Sequence, residues 1–283
     1  MNKATDSPRI SIITPSFNQG KFLEETIQSV LNQNYPNLEY IILDGGSTDN
    51  SVDIIKKYED RITFWESKPD NGQADAIYRG FEQASGDIIA WINSDDYYLD
   101  GALKTVGNYF TKYPSIEWLA GNGIIVDTHS HELLKSYTTN ISFDHLYYRD
   151  TLFVQPSIFI SRKAFFECGG FDKTLEFCMD YDLFLNLSLR SNPLQIPDFL
   201  SAFRYHANAK SSTILDVNEK ESSYIRNEKF KQYRKNWLYQ TYRCFKRYSG
   251  VVIHRLRTSG VLPYLRWLLS ENSSLYNYKK NPK

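Results

Sequence analysis

Four consecutive polar residues, Asn93, Ser94, Asp95 and Asp96, follow without a break on the apolar run 88–92 of "GDIIAWINSDDYYLDG". The run is short and β-branched, as a buried strand would be, so two adjacent carboxylates leave the end of a core strand. Unpaired burial would cost several kcal/mol per ion, and they must meet water, a basic partner or a metal. Carboxylates in this place can hold magnesium or manganese, which keep several waters and take further ligands from substrate phosphates. The alternative is an acidic turn capping a helix after Asp100; it uses Asp100 and leaves Asn93, Asp95 and Asp96 unexplained.

Other residue sets could serve a ligand. "TPSFN" holds Thr14, Pro15, Ser16 and Asn18, "DGGSTDNS" opens with Asp44 and Gly45, and "KPDNGQADA" contains Gln73. Each also has an ordinary use: a proline turn, a strand-to-helix turn with Ser47 or Thr48 as cap, and a helix start. Further along, Asp180 and Asp182 in "GGFDKTLEFCMDYDLFL" offer carboxylates for proton transfer. Both also suit the first turn of a helix over 181–190. His206 in "FRYHANAKSS" is a solitary imidazole, a residue type that is often structural but also suits manganese.

The elements around these residues decide whether they can meet. Apolar runs at 10–13, 40–43, 62–65 and 88–92 read as strands, with helical patterns between them at 21–32, 50–58 and 73–84. This alternation predicts βαβ units, an α/β class and a mostly parallel sheet flanked by helices. Ligands of such sheets lie outside the carboxyl ends of the strands. The stretches beginning at Thr14, Asp44, Lys68 and Asn93 all fall at that edge and together describe a pocket for a polar, ring-bearing ligand. Beyond them, a helix is expected near 101–112, a strand or hairpin in "EWLAGNGIIVD", and strand, short helix, Gly-Gly turn and longer helix over 155–190. A second unit is expected from 218, where a helix-prone stretch runs without Gly or Pro to Gly250.

The combination resembles the family 2 glycosyltransferases of the GT-A fold. "TPSFNQGKFLEETIQSVLNQNYPNLEYIILDGGSTDNS" follows that family's Pro-x-x-Asn-type first turn and Asp after strand two, and "INSDD" its Asp-x-Asp-like motif after strand four. The likeness continues through "GGFDKTLEFCMDYDLFL" and "FRYHANAKSS". It implies a catalytic domain over 1–217, with a nucleotide-binding half at 9–100 and an acceptor half at 101–217, followed by a helical extension at 218–283. It also implies that Asp44 reads the nucleotide base and that the turn from Thr14 through Pro15 and Ser16 to Asn18 lies against the nucleoside, with Gly45, Gln73 and Ser94 beside it. Asn93 takes the ribose-side place of the motif and Asp95 the metal-binding place. An amide adds no charge for a metal, which leaves more to Asp95, with Asp96 as helper. In the family a Glu-Asp pair supplies the general base; here that pair is Met179-Asp180, so Asp180 keeps the base position while Met179 cannot assist it. His206 falls in an Arg-x-His-like segment, where the imidazole joins the metal or faces the diphosphate.

The reaction implied is attack of an acceptor hydroxyl on the anomeric carbon of a nucleotide-diphosphate sugar, with inversion and with Mn2+ or Mg2+ as cofactor. UDP is the expected carrier, and a saccharide or lipid-linked saccharide of bacterial polysaccharide synthesis the expected acceptor. Asn93 and Met179 keep a non-catalytic nucleotide-sugar binder open as the alternative. A nucleotidyltransferase would carry a glycine-rich, basic loop after strand one, which "TPSFNQGKF" is not.

The formal net charge of zero conceals an asymmetry. From Lys229 onward about a dozen Lys and Arg face a single acid, Glu271. Trp, Tyr, Phe and Leu interleave with them in "KFKQYRKNWLYQTYRCFKRY" and "GVLPYLRWLL", a pattern found in segments lying in a membrane interface. Packing on the catalytic domain and nucleic-acid binding are the alternatives. The resemblance favours an anionic membrane surface as partner, with no nucleic acid. "MNKATDSPRISIITPSF" shows no secretory signal or spanning helix, so the expectation is a cytoplasmic protein, peripheral on the inner face of the membrane. Cys168, Cys178 and Cys244 are an odd number without metal-ligand spacing, as reduced thiols would be.

Overall fold

The structure, a computed structural model, describes residues 7–148, 153–207 and 215–235. Strand β1 (Ile10–Ser16) is buried along its whole length, as a central parallel strand covered on both faces must be. It pairs in parallel with β2 (Leu38–Asp44) on one side and β4 (Ile88–Trp91) on the other, and β2 pairs in parallel with β3 (Phe64–Ser67). The crossovers are helices α1 (Gly20–Leu31), α2 (Ser51–Lys57) and α3 (Gln73–Gln83). Helix α1 buries Phe22, Leu23, Ile27, Val30 and Leu31, the one-sided spacing that packs a helix on a sheet. Gly80 brings α3 close to β1, because a Cβ there would lie 2.6 Å from Cγ1 of Ile13.

The second half of the chain widens this sheet and mixes its directions. In chain order it contributes β5 (Tyr97–Tyr98), α4 (Ala102–Lys112), β6 (Trp118–Val126), β7 (Glu132–Ser136), α5 (Phe143–Tyr147), β8 (Ile158–Ser161), α6 (Arg162–Glu167), α7 (Met179–Arg190) and β9 (Leu194–Arg204). The strand order is β3-β2-β1-β4-β8-β6-β9-β5, with β7 paired to β6. Strand β8 runs antiparallel to both β4 and β6, whereas β6 and β9 are parallel. The fold is therefore an α/β mixed sheet whose first four strands form the parallel part expected from the sequence.

Strand β5 and helix α5 were not expected from the sequence, and two further elements differ from the expectations in ways that bear on the site. Strand β9 was not foreseen, and it contains Pro197, a residue that normally argues against a paired strand. The ladder with β6 shifts register there, and the Pro197 carbonyl accepts instead from Asn122 Nδ2 at 2.6 Å. The helix expected from 218 to Gly250 exists first as α8 (Leu215–Tyr224), which a π turn, Ile225–Lys229, continues.

A compact unit ends at Lys229. Of the next unit the described part holds a 3-10 turn at Lys231–Tyr233, after which Arg234 is extended, so the helix is not continuous. Most of the basic, aromatic stretch assigned to a membrane surface lies outside the described residues. No helix among the described residues is long and apolar enough to cross a membrane.

Candidate active site

The carboxyl ends of β1, β2 and β4 open on a cleft of about 700 Å³. Pro15, Ser16 and Gly45 line it from the first two loops, Gln73 from the start of α3, and Asn93, Ser94 and Asp95 from the loop after β4. Phe177, just before α7, and Met179 and Asp180, its first two residues, line it from the other side. Residues expected on the donor side and on the acceptor side therefore share one cavity, as the edge rule for parallel sheets requires, while Thr14, Asn18, Asp44, Asp96 and His206 are not among its lining residues.

The first two loops are laced together. Asn18, at φ 52°, donates its N–H to Ser47 Oγ and accepts from the Thr48 N–H through Oδ1, both at 2.8 Å. It thus braces the cleft wall without lining it. Asp44 is 1% exposed, and its carboxylate accepts from the N–H groups of Gly46 and Ser47 and from the hydroxyls of Ser47 and Ser67. With four donors on its two oxygens it shapes the loop and does not itself line the cleft. Gly45 allows the Asp70 carboxylate to approach, since a Cβ there would meet Asp70 Oδ2 at 3.1 Å.

Two expectations are corrected. The Thr14 hydroxyl is buried against Tyr40 OH at 3.0 Å, so its side chain serves the core and not a ligand. Neither Ser47 nor Thr48 caps α2; Asp49 instead accepts the Ser51 N–H and, from Gly20, one at the start of α1. At α7 the N-cap residue Cys178 makes no side-chain cap bond, but Asp180 Oδ1 accepts the first-turn N–H of Tyr181 at 2.7 Å. Glu221 of α8 holds the approach to that helix, its carboxylate taking the N–H groups of Glu176, Phe177 and Cys178.

The loop after β4 separates its two carboxylates by environment. Asp95 lies at the cleft edge with Oδ2 3.0 Å from His206 Nε2. Asp96 turns inward, 1% exposed, with Oδ1 accepting the Arg204 N–H at 2.9 Å and Oδ2 facing the Asn93 amide at 3.3 Å. Burial and the neighbouring Asp95 charge push the Asp96 carboxyl well above its ordinary value. Asp96 thus stands behind Asp95 and not beside it as a co-ligand. Asn93 Oδ1 accepts from Gln73 Nε2 at 2.7 Å, which fixes which way the amide presents itself to the cleft.

Arg204, which sequence reasoning did not single out, organises this corner. It is 1% exposed, and its Nε donates to the Asp95 carbonyl while its other nitrogens reach the Asp127 carbonyl, the Ser130 hydroxyl and Glu25. Its guanidinium lies 4.8 Å from the Phe22 ring centroid, and Phe22 also packs on His206. The signal lay in the Arg-x-His-like segment, of which Arg204 is the arginine, although only its histidine was taken up as a site residue. On the β6–β7 turn, Asp127, His129 and His131 bring potential ligand atoms within 4.8 Å of one another, a set separate from Asp95 and His206.

Gln155 was also missed. It lines the cleft and donates Nε2 to the Trp91 carbonyl at 3.2 Å.

Known proteins share the fold. Solved structures with the same fold include TarS of S. aureus in complex with UDP-GlcNAc, at TM-score 0.61 and 18% identity over 72% of this chain and 61% of that one. A mannosyltransferase from Pyrobaculum calidifontis, in complex with GDP-Man and Mn2+, matches at TM-score 0.61 and 15% identity over 97% of this chain and 84% of that one. The teichuronic acid biosynthesis glycosyltransferase TuaG of Bacillus subtilis is 40% identical over 100 residues, 34% of this chain and 40% of TuaG. Rickettsial glycosyltransferases are 26 to 28% identical over 224 to 231 residues, and the chain spans from 36% to 71% of their length. The model of the family described as "Glycosyl transferase family 2" matches residues 11–170, more than half of the sequence and the whole of the donor side of the cleft, and the chain belongs to that family.

Proposed function

We propose that this chain transfers a sugar from a nucleoside-diphosphate donor, UDP-linked in the first instance, to a hydroxyl of a saccharide or lipid-linked saccharide, with inversion at the anomeric carbon. The observation that carries the reading is that Asp95 and Asp180, from opposite halves of the fold, line one cleft. TarS and the Pyrobaculum enzyme were each solved with a nucleotide sugar, which supports the donor class.

The nucleoside lies against Pro15, Ser16 and Gly45, with the Asn93 amide donating to or accepting from a ribose hydroxyl. Asp44 acts by holding the loop at the base, and a direct contact would need Ser47 or Ser67 to release an oxygen. The residues present fit a divalent cation. Asp95, which lines the cleft, has Oδ2 3.0 Å from Nε2 of the buried His206, an oxygen and a nitrogen donor set that suits manganese, with magnesium as the harder alternative. When bound, such an ion neutralises charge on the departing diphosphate.

Asp180 accepts the proton of the acceptor hydroxyl as its oxygen bonds to the anomeric carbon. The bond from that carbon to the diphosphate oxygen breaks on the opposite face, and the nucleoside diphosphate leaves with the electron pair. Phe177 and Met179 present ring and thioether surface beside Asp180, apolar cover that keeps water from competing with the acceptor.

Met179, in place of a second carboxylate, and Asn93 favour a second reading, a nucleotide-sugar binder without turnover. Both are tested by thermal stabilisation across a panel of UDP- and GDP-sugars with and without Mn2+, followed by assays of nucleoside diphosphate release. No stabilisation by any nucleotide sugar overturns both readings; stabilisation without release leaves the binder.

A further inference from the structure

The loop that carries Asp180 into the cleft has bonds of its own, from Thr174 and Leu175 to Asp172, and is also held from another helix. Helix α7 starts at Met179 without a side-chain cap from Cys178, Asp180 Oδ1 accepts the first-turn N–H of Tyr181 at 2.7 Å, and the backbone N–H groups of 176–178 that lead into the helix need acceptors of their own. Glu221 of α8 supplies them. Its Oε1 accepts the Glu176 N–H at 2.6 Å, and its Oε2 accepts those of Phe177 at 2.8 Å and Cys178 at 2.7 Å. The π turn that follows α8 gathers the flanks of the same loop. Lys229 Nζ lies 3.0 Å from Asp172 Oδ2 and 2.8 Å from the Asp182 carboxylate, which is 1% exposed. The segment is itself anchored: Ile225 is fully buried, and the Arg226 carbonyl accepts from Tyr147 OH at 3.0 Å.

We propose that Glu221 is a positioning residue for Asp180, so that the stretch 218–229 completes the acceptor side of the active site. The inference rests on Asp180 as the base of the proposed reaction. Three hydrogen bonds to successive N–H groups fix the backbone torsions of 176–178, and these set the direction in which the Asp180 side chain leaves the first turn of α7. The carboxylate has the sign that a helix N-terminus favours, and its bonds are charge-assisted. Water could satisfy the same N–H groups one by one, but it would not tie them to a second element of the fold. A base displaced by about 1 Å costs as much as ~10²-fold in rate.

The test compares Glu221→Gln and Glu221→Ala with wild type in the full-length protein. Three quantities are read: amide hydrogen exchange at 176–178, binding of UDP with Mn2+ by calorimetry, and turnover of the nucleotide sugar that stabilises wild type most. In Glu221→Ala, exchange at 176–178 rises about tenfold or more. UDP affinity and donor KM stay within about twofold, while kcat falls roughly 10- to 100-fold. Glu221→Gln, which keeps shape and one acceptor oxygen, falls between and carries the test if the alanine variant does not fold. Unchanged exchange at 176–178, unchanged kcat, or a parallel loss of kcat and UDP affinity overturns the role of Glu221. A wild-type protein that takes no nucleotide sugar overturns the underlying reading of the cleft instead.

Discussion

His206 Nε2 stands 3.0 Å from Asp95 Oδ2, so the segment after β9 meets the loop after β4 at the rim of the cleft. Neither residue is near the other in sequence; the pairing of β9 with β5 and β6 brings them together. If this pair holds the cation, Asp95→Ala abolishes the gain in UDP affinity that Mn2+ provides, and His206→Ala reduces it roughly tenfold or more. Calorimetric titration of UDP with and without Mn2+ reads both. A variant of Asp95 with undiminished metal-dependent binding places the cation elsewhere.

Asp180→Asn keeps the side-chain shape and removes the base. Donor affinity should stay within about twofold while kcat drops by about 10²- to 10⁴-fold, since a general base contributes in the transition state alone. Steady-state release of nucleoside diphosphate checks this, and near wild-type turnover would move the base to another residue.

Arg204 is buried with partners on three segments, so its loss should be felt in stability before activity. Arg204→Met leaves the Asp95 and Asp127 carbonyls without their donor and should cost about 3 kcal/mol. Denaturant unfolding measures the loss. Arg204→Lys should recover only part of it, because a single ammonium cannot replace the planar fork.

Glu39 sits 5% exposed between Arg9, Ser11 and Ser85. Burial alone would raise its carboxyl, but hydrogen bonds from Ser11 and Ser85, with the charge of Arg9, hold it below its ordinary value. A carboxylate with a depressed folded pKa adds stability that is present above its unfolded pKa of about 4.3 and is lost as pH falls through the folded value. Denaturant midpoints taken from about pH 7 down to about pH 3 should fall for wild type. Glu39→Gln should be less stable at about pH 7 and show a flatter acid limb.

The basic, aromatic stretch after Lys229 is proposed to dock on anionic lipid, each basic residue near the surface adding about 1 kcal/mol. Full-length protein should co-sediment with vesicles containing phosphatidylserine at low salt and be released at high salt. A truncation for comparison should end after Lys235, because Lys229 is bound to Asp172 and Asp182. Equal sedimentation of that truncation would show that the tail is not the anchor.

Much of the donor side was legible before any coordinates. Apolar runs of strand length, each followed by turn residues, place Pro15, Gly45, Asn93 and Asp95 at one edge of the sheet, and the cleft opens there. The acceptor side was legible in its motif but not in its supports. A helix cap was expected from Asp180 or Asp182, and Asp180 does take the Tyr181 N–H, but the N–H groups leading into the helix are held by Glu221 on another helix. Strand β9 was hidden by Pro197, whose missing N–H a register shift accommodates.

The order of apolar and turn residues along the chain determined the βαβ half and the identity of the groups at its carboxyl edge, because side-chain period and turn chemistry are local properties. Which carboxylate faces the cleft was decided in three dimensions. Asp95 and Asp96 are chemically identical neighbours, and only the arrival of Arg204 on β9, offering its N–H to Asp96 and its Nε to the Asp95 carbonyl, buries one and leaves the other at the rim beside His206. A buried charge or an open helix end takes whichever partner the packing delivers, and that partner's distance along the chain carries no signal in the residues themselves.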